Sequence, residues 1–419
     1  MTESLKSSMR WASALSTRPF LEAAVEEVVT QAQATLRASI DLGIIFISSA
    51  FASEYSRLLP LFREKLPGVP LIGCSGGGII GMTQRGKVRE VEGEPSLSLM
   101  LGHLPNVKVQ PFYISAGDLP DLDSPPDTWT DLIGVPTSDS PNFIVLADLP
   151  RVNDLLQGLD FAYPSAPKVG GLASAGTLGG STGLFGDRFY REGAVGVALS
   201  GNIVMETIVA QGCRPIGKPY WVTEGERNVL LAMQEDDGSG VPSDRCGVKR
   251  SPLEQLQELV QGLSEEDQQL AQQNHIFVGV AQNGFKQTLE PGDFLIRNLL
   301  GVDPRVGAIA IGDLIRPGQR IQFHLRDAET SAEDLDLFLR RYMQTSQSDP
   351  SPTGALMFSC LGRGEGLYGE PNFDSQLVNE YLQELPIAGF FCSGEIGPVG
   401  GSTFLHGYTS VFGICREKE

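Results

Sequence analysis

Three stretches of the chain are apolar at every consecutive position: Ile44-Ile45-Phe46-Ile47, Phe143-Ile144-Val145-Leu146 and Ala355-Leu356-Met357-Phe358. That pattern belongs to strands buried on both faces of a helix-covered sheet. At a helix-sized interval after each comes a Pro-x-x-Gly: Pro70 to Gly73, Pro167 to Gly170 and Pro386 to Gly389. Small residues and further glycines follow every time, and then a second strand-like run at Leu97–Leu101, Val195–Leu199 and Val411–Ile414. A unit of strand, helix, short strand, glycine loop and strand that occurs three times is an internal repeat.

Around this repeat the polar pattern predicts helices. Leu21, Val25, Val28, Ala32 and Leu36 form one apolar stripe after a short strand at Trp11–Leu15, with Ser16 or Thr17 as the cap and Pro19 in the first turn. The helix of the second copy is expected over Arg151–Tyr163, capped at Asn153, and Pro60 must kink or start the helix of the first. Between Cys213 and Asp327 no Pro-x-x-Gly loop occurs. That segment offers two capping boxes, at Ser251 and Ser264, and strands at Ile276–Ala281, Gly307–Ile311 and Ile321–Leu325. Leu335, Phe338, Leu339 and Tyr342 then mark an amphipathic helix leading into the third copy. The expected fold is α/β: two modules built from repeated strand-helix-strand-strand units, with mixed sheets covered by helices. A flexible start over residues 1–10, a first domain over 11–211 and a second over 212–419 complete the expectation.

With 419 residues, 41% hydrophobic and 20% charged, the chain has enough apolar matter for a folded core of several layers. Its net charge of -19 is spread along the sequence, which argues against nucleic acid and anionic membrane as partners. The first residues lack a signal-peptide core and no run has the length of a membrane span, so a cytoplasmic location is expected. The six cysteines include no Cys-x-x-Cys, which leaves Cys74, Cys360 and Cys392 as free thiols rather than members of a disulfide framework or zinc knuckle.

A glycine loop just past a strand lets successive backbone amides turn toward one anion. Cys74, Ser75, Gly76 and Gly77 of the first loop, Ser174 of the second, and Ser393 and Gly394 of the third are the candidate binders of a small carboxylate. Glycines that only permit tight turns between packed repeats are the structural alternative. Glu395, set among Phe390, Phe391, Ile396 and Pro398, needs a cation or a donor, and Arg363 is the obvious fork for it, unless one of the two faces a ligand. His406 closes the third loop and is the histidine placed for contact with a ligand, whereas His324 and Arg326 share one face of a strand in a structural role. A nucleophilic role for Cys74 or Cys392 lacks a base at any fixed relation to either, which argues against an enzyme.

Gly73–Gly81 and Gly170–Gly180, with Gly312-Asp313-Leu314-Ile315-Arg316-Pro317-Gly318, Phe358 to Gly364 and Gly389 to Pro398, resemble the FIST family over nearly the whole chain. The resemblance implies a pair of sensory domains that bind a small ligand. Amino acids are the ligand class usually proposed, and haem is reported for some members. With no kinase, cyclase, methyl-accepting or F-box segment in the sequence, the chain is expected to stand alone and to pass its signal to a separate protein in trans. The alternatives are a haem-binding gas sensor using His406, His103 or a cysteine as axial ligand, and an interaction scaffold without a small ligand. Oligomeric state is not legible.

Overall fold

The structure is a computed structural model and describes residues 8–176, 180–238, 250–273, 275–284, 286–346 and 350–418. The expected flexible start lies outside the described residues as far as residue 7. The chain divides into two compact units, one of Met1–Val209 with Phe338–Glu419 and the other of Ala210–Leu337.

In the larger unit the sequence repeat becomes three copies of one module. The first contains β1 (Arg10–Ser16), α1 (Leu21–Leu36), β2 (Leu42–Ser48), α2 (Tyr55–Lys65), β3 (Leu71–Gly76), the hairpin β4 (Gly78–Met82) and β5 (Val88–Glu92), and β6 (Leu97–His103). In the second these become β7 (Val107–Ile114), α3 (Pro126–Ile133), β8 (Asn142–Asp148), α4 (Val152–Ala162), β9 (Lys168–Leu172), β10 (Leu184–Phe185), β11 (Phe189–Tyr190) and β12 (Gly193–Gly201). The third opens with β13 (Val204–Ala210) and is interrupted by the smaller unit. That insertion holds β14 (Arg214–Glu226), β15 (Val229–Glu235), α5 (Pro252–Gln261), α6 (Glu265–Gln272), β16 (Ile276–Ala281), β17 (Phe294–Asp303), β18 (Ala308–Ile311) and β19 (Arg320–Leu325). The third module resumes with α7 (Ala328–Thr345), β20 (Gly354–Cys360), α8 (Glu365–Tyr368), α9 (Phe373–Tyr381), β21 (Ile387–Cys392), the hairpin β22 (Glu395–Val399) and β23 (Ser402–His406), and β24 (Ser410–Arg416).

Each module builds a mixed sheet around a parallel pair, β2 with β3, β8 with β9 and β20 with β21. None of the three sheets keeps its own hairpin. The sheet orders are β1-β6-β2-β3-β10-β11, β23-β22-β9-β8-β12-β7 and β13-β24-β20-β21-β4-β5. The first module therefore lends its hairpin to the third, the third to the second and the second to the first. One apolar core is shared among the sheets, with Phe46, Ile144, Val169, Phe358 and Phe390 in it, and the rings of Phe46 and Phe390 stack at 5.2 Å. Helices α1 and α2 cover the other face of the first sheet, and α3 and α4 that of the second. Strands covered on both sides are why the sequence reads as unbroken apolar runs.

The repeated Pro-x-x-Gly has a steric cause. Gly73, Gly170 and Gly389 face Ile45, Val145 and Met357 across the parallel pairs. A Cβ at these glycines would lie 2.2, 1.8 and 1.8 Å from the carbonyl oxygens of those residues. Only glycine lets the two strands approach this closely.

The inserted unit is a closed barrel, β14-β15-β18-β17-β16-β19, filled by Val222, Leu230, Met233, Val278, Ile309, Ile321 and Phe323 among others. Its two helices begin as expected, Ser251 accepting from the Glu254 amide and Ser264 from the Asp267 amide. Elsewhere the predicted caps move. Helix α1 starts after Phe20 with no side-chain cap, because the Ser16 hydroxyl is engaged with Glu27 and the Arg18 amide. Helix α4 follows Arg151 rather than Asn153, again uncapped, and Pro60 lies inside α2 rather than at its start.

Candidate functional site

The three glycine loops come together, but they bond to one another. Ser75 donates its hydroxyl to the Ser174 carbonyl at 3.0 Å and accepts from the Gly183 amide at 3.0 Å. Ser174 accepts from the Gly77 amide at 2.8 Å, and its hydroxyl donates to the Phe391 carbonyl. The Ser393 amide donates to the Leu172 carbonyl at 3.2 Å, and the Leu172 amide to the Gly394 carbonyl at 2.8 Å. Ser75 and Ser174 are buried while Ser393 is exposed. This corrects the expectation that the donors of the loops open onto a shared hollow: Ser75, Gly77, Ser174, Ser393 and Gly394 knit the modules together, the structural alternative for the glycine runs.

Cys74 and Gly76 lie fully within β3, and Cys392 ends β21. Burial pushes the Cys74 and Cys392 thiols well above the ordinary thiol range, which makes them poor nucleophiles. They are also out of phase, Cys74 directly following its repeat glycine and Cys392 standing two positions further along. His406 is buried, its Nε2–H donating to the Gly397 carbonyl at 3.0 Å, and His103 is held by Ser39. The buried thiols of Cys74 and Cys392 and the imidazoles of His406 and His103, tied to neighbouring main chain, do not fit an axial haem ligand.

Arg363 corrects a second expectation. It is buried and grips Asp374 with two bonds, Nε to Oδ2 at 2.7 Å and Nη2 to Oδ1 at 2.9 Å, with the Tyr368 hydroxyl at 2.6 Å from Nη2. Its partner is therefore Asp374, eleven residues along the chain, and not Glu395. Glu395 is fully buried and accepts from the Thr409 amide at 3.1 Å. Burial pushes its carboxyl up to about 8, although that amide, Arg363 and the Cys360 thiol favour the charge. Glu90, brought into the third module by the lent hairpin, is likewise raised by burial, and by Asp374 nearby, to about 7.

In the barrel the opposite holds, for burial pushes His324 down to about 4 while its Nδ1–H donates to the Gln322 carbonyl. A histidine depressed in the folded state takes up its proton on unfolding, so barrel stability falls as pH drops from about 6.5 towards 4, by on the order of 3 kcal/mol. Glu90 and Glu395 hold protons in the folded state that the unfolded chain gives up, so the repeat unit weakens as pH rises from about 4.5 through 7 to 8. Urea titrations from pH 4 to 8 on wild type, H324Q and E395Q are expected to show the acid loss shrinking in the first variant and the alkaline loss in the second. Unchanged pH slopes in both would remove this account.

Three clefts formed by described residues differ in how they receive a small anion. One, about 660 Å³, lies in the barrel unit at the start of α7, and Glu266, Asp267, Asp327, Glu329 and Glu333 line it against Arg214 alone. Arg214 already pairs with Asp267, so this cleft repels anions. A second, about 580 Å³, sits at the end of α1, where Arg10 and Arg37 favour an anion and the C-terminal end of the helix dipole opposes it. The third, about 290 Å³, is at the head of the β2–β3 parallel pair, the usual ligand position in open α/β sheets. Ser53, Tyr55 and Ser56 of the first module line it together with Thr182, Phe189 and Arg191 of the second, and no carboxylate is among its described lining residues. Sequence reading did not single out Arg191, because nothing local reveals that its hairpin is lent to another sheet.

Among the described residues no helix is long and apolar enough to cross a membrane. A sequence profile of the FIST N domain matches residues 41–235, and one of the FIST C domain matches residues 252–398. An uncharacterized protein of Mycobacterium tuberculosis (strain H37Rv) is 32% identical over 415 residues, 96% of this chain and 98% of its own length. One from Mycobacterium bovis is 37% identical over 259 residues, 62% of each chain. An F-box/LRR-repeat protein of Arabidopsis thaliana is 34% identical over 113 residues, 23% of this chain and 21% of its own. FIST domains are classed as sensory domains of signal transduction. With both halves matched and a relative aligned almost end to end, the chain belongs to the FIST family.

Proposed function

We propose that this chain is a cytoplasmic sensory protein that binds an amino acid or a similar small carboxylate in the cleft at the head of the first module, and passes its state to a separate signalling protein. The observation that carries this reading is the lining of that cleft: the hydroxyls of Ser53 and Ser56, the rings of Tyr55 and Phe189, and the exposed guanidinium of Arg191, while the Thr182 hydroxyl is given to Asp148. A guanidinium fork matches a carboxylate, and hydroxyls supply further donors without adding a competing charge. About 290 Å³ suits a molecule of amino-acid size.

A thermal-shift screen of the full chain against the twenty amino acids, acetate, pyruvate and succinate tests this. A ligand at a hundred times its Kd adds about 2.7 kcal/mol, enough to move the midpoint by several degrees. At least one acid is expected to do so while its amide does not. A flat response across the panel at millimolar concentration sinks the reading.

A further inference from the structure

The exchange of hairpins puts three different residues at one position of the repeat, and their chemistry differs. In the third module the host glycine Gly389 faces Ile80, and Ile80 faces Glu90 across the lent hairpin. In the first module Gly73 faces Phe185, and Phe185 faces Phe189. Glu90 and Phe189 are thus equivalent, and so are the residues two further on, Glu92 and Arg191. In the second module Gly170 faces Ile396 and Ile396 faces Leu405, which puts Gly407 at the same place.

In the third module the carboxylate of Glu92, itself an exposed residue, stands at the head of the parallel pair. Its Oε1 accepts from the Glu365 amide at 3.0 Å and lies so near that a Cβ at Gly364 would meet it at 2.3 Å. Glu365 follows Met357, which faces Gly389, at the same interval as Ser53 follows Ile45, which faces Gly73. Ser53 and its neighbour Ala52 line the first module's cleft beside Arg191. The charge is therefore reversed where the surroundings correspond. Arg191 is exposed and makes no ion pair among the described residues.

Resting on the reading of the chain as a small-carboxylate sensor, we infer that the first module takes the carboxylate of a free ligand in the place that Glu92 fills in the third, with Arg191 and the hydroxyls of Ser53 and Ser56 as its anchors. The third module has the protein's own acid at this place, and the first is left for a ligand that brings one. The recognised feature is the carboxylate itself; Tyr55 and Phe189 set the size of what it carries.

The test uses the full chain with sodium acetate and the L-amino acids of the screen as probes. R191Q removes the charge, R191E installs the carboxylate that the third module already holds, and E92Q alters only the third module. The acids that shift wild type are expected to bind about tenfold or more weakly to R191Q and to lose their effect on R191E. E92Q should keep the response. Circular dichroism confirms folding, and an exposed arginine gives no reason for its loss. Wild type and R191E responding alike would place the ligand elsewhere and overturn both the inference and the choice of this cleft, while the wild-type shift would keep the reading of a small-carboxylate sensor. No response from wild type overturns both.

Discussion

Replacing Asp374 with alanine is expected to lower the stability of the repeat unit by about 3–5 kcal/mol, since the change strands a buried guanidinium. Arg363 and Asp374 are both about 1% exposed, and the two-pronged contact is the main compensation for burying the arginine. It also donates to the Tyr368 hydroxyl and the Tyr408 carbonyl, which are neutral groups. Glu395 also feels the Arg363 charge, but burial keeps it protonated near neutral pH. Urea denaturation of D374A followed by circular dichroism measures the loss. The double variant D374A/R363M, which removes both charges, should recover much of it. A D374A midpoint close to wild type would mean that the guanidinium has another counter-charge and that the pair is incidental.

The second large effect is expected from Gly389→Ala. The new methyl would sit 1.8 Å from the Met357 carbonyl oxygen and 2.7 Å from its carbon, both main-chain atoms of the paired strand. Side chains can swing aside, but a backbone carbonyl in the middle of a parallel ladder moves only if the ladder opens. Overpacking against adaptable neighbours costs about 1–3 kcal/mol, so a clash with main chain should cost more than that and leave the third module unable to close. Gly170→Ala, with the same 1.8 Å contact at Val145, should behave alike. Gly366→Ala meets nothing within 4 Å and serves as the control, with a change inside about 0.5 kcal/mol. Comparable midpoints for G389A and G366A would refute the steric origin of the repeat.

The same contacts explain which parts of the fold were legible. Pro-x-x-Gly could be read three times because a close approach between neighbouring strands forces one residue type at one position, and the apolar runs because both sheet faces are covered. The first helix, the capping serines of the barrel helices and the α/β class followed from equally local rules. Hairpin exchange did not, since a strand such as β10 is two residues long and its sequence says nothing about which edge it joins. The barrel strands were partly visible, but not that they form an insertion within the third repeat. The pairing of Arg363 was misjudged because several acids compete for it and only the fold brings Asp374 round. The loop donors were expected to converge on a hollow, yet buried donors are satisfied by whatever lies nearest, and in this chain that is another loop. Arg191 became visible as a site residue only after the register placed it beside Glu92.

The circular lending of hairpins also bears on synthesis. The hairpin β4–β5 is made early, but the edge it joins, β21, is translated roughly 310 residues later, some tens of seconds at ordinary ribosome speeds. Until then the nascent chain carries an apolar ribbon without a home and a first sheet whose β3 edge waits for the second module. A growing polypeptide in that condition is exposed to mispairing with its neighbours on a polysome, and shortened forms ending before β21 would never escape it.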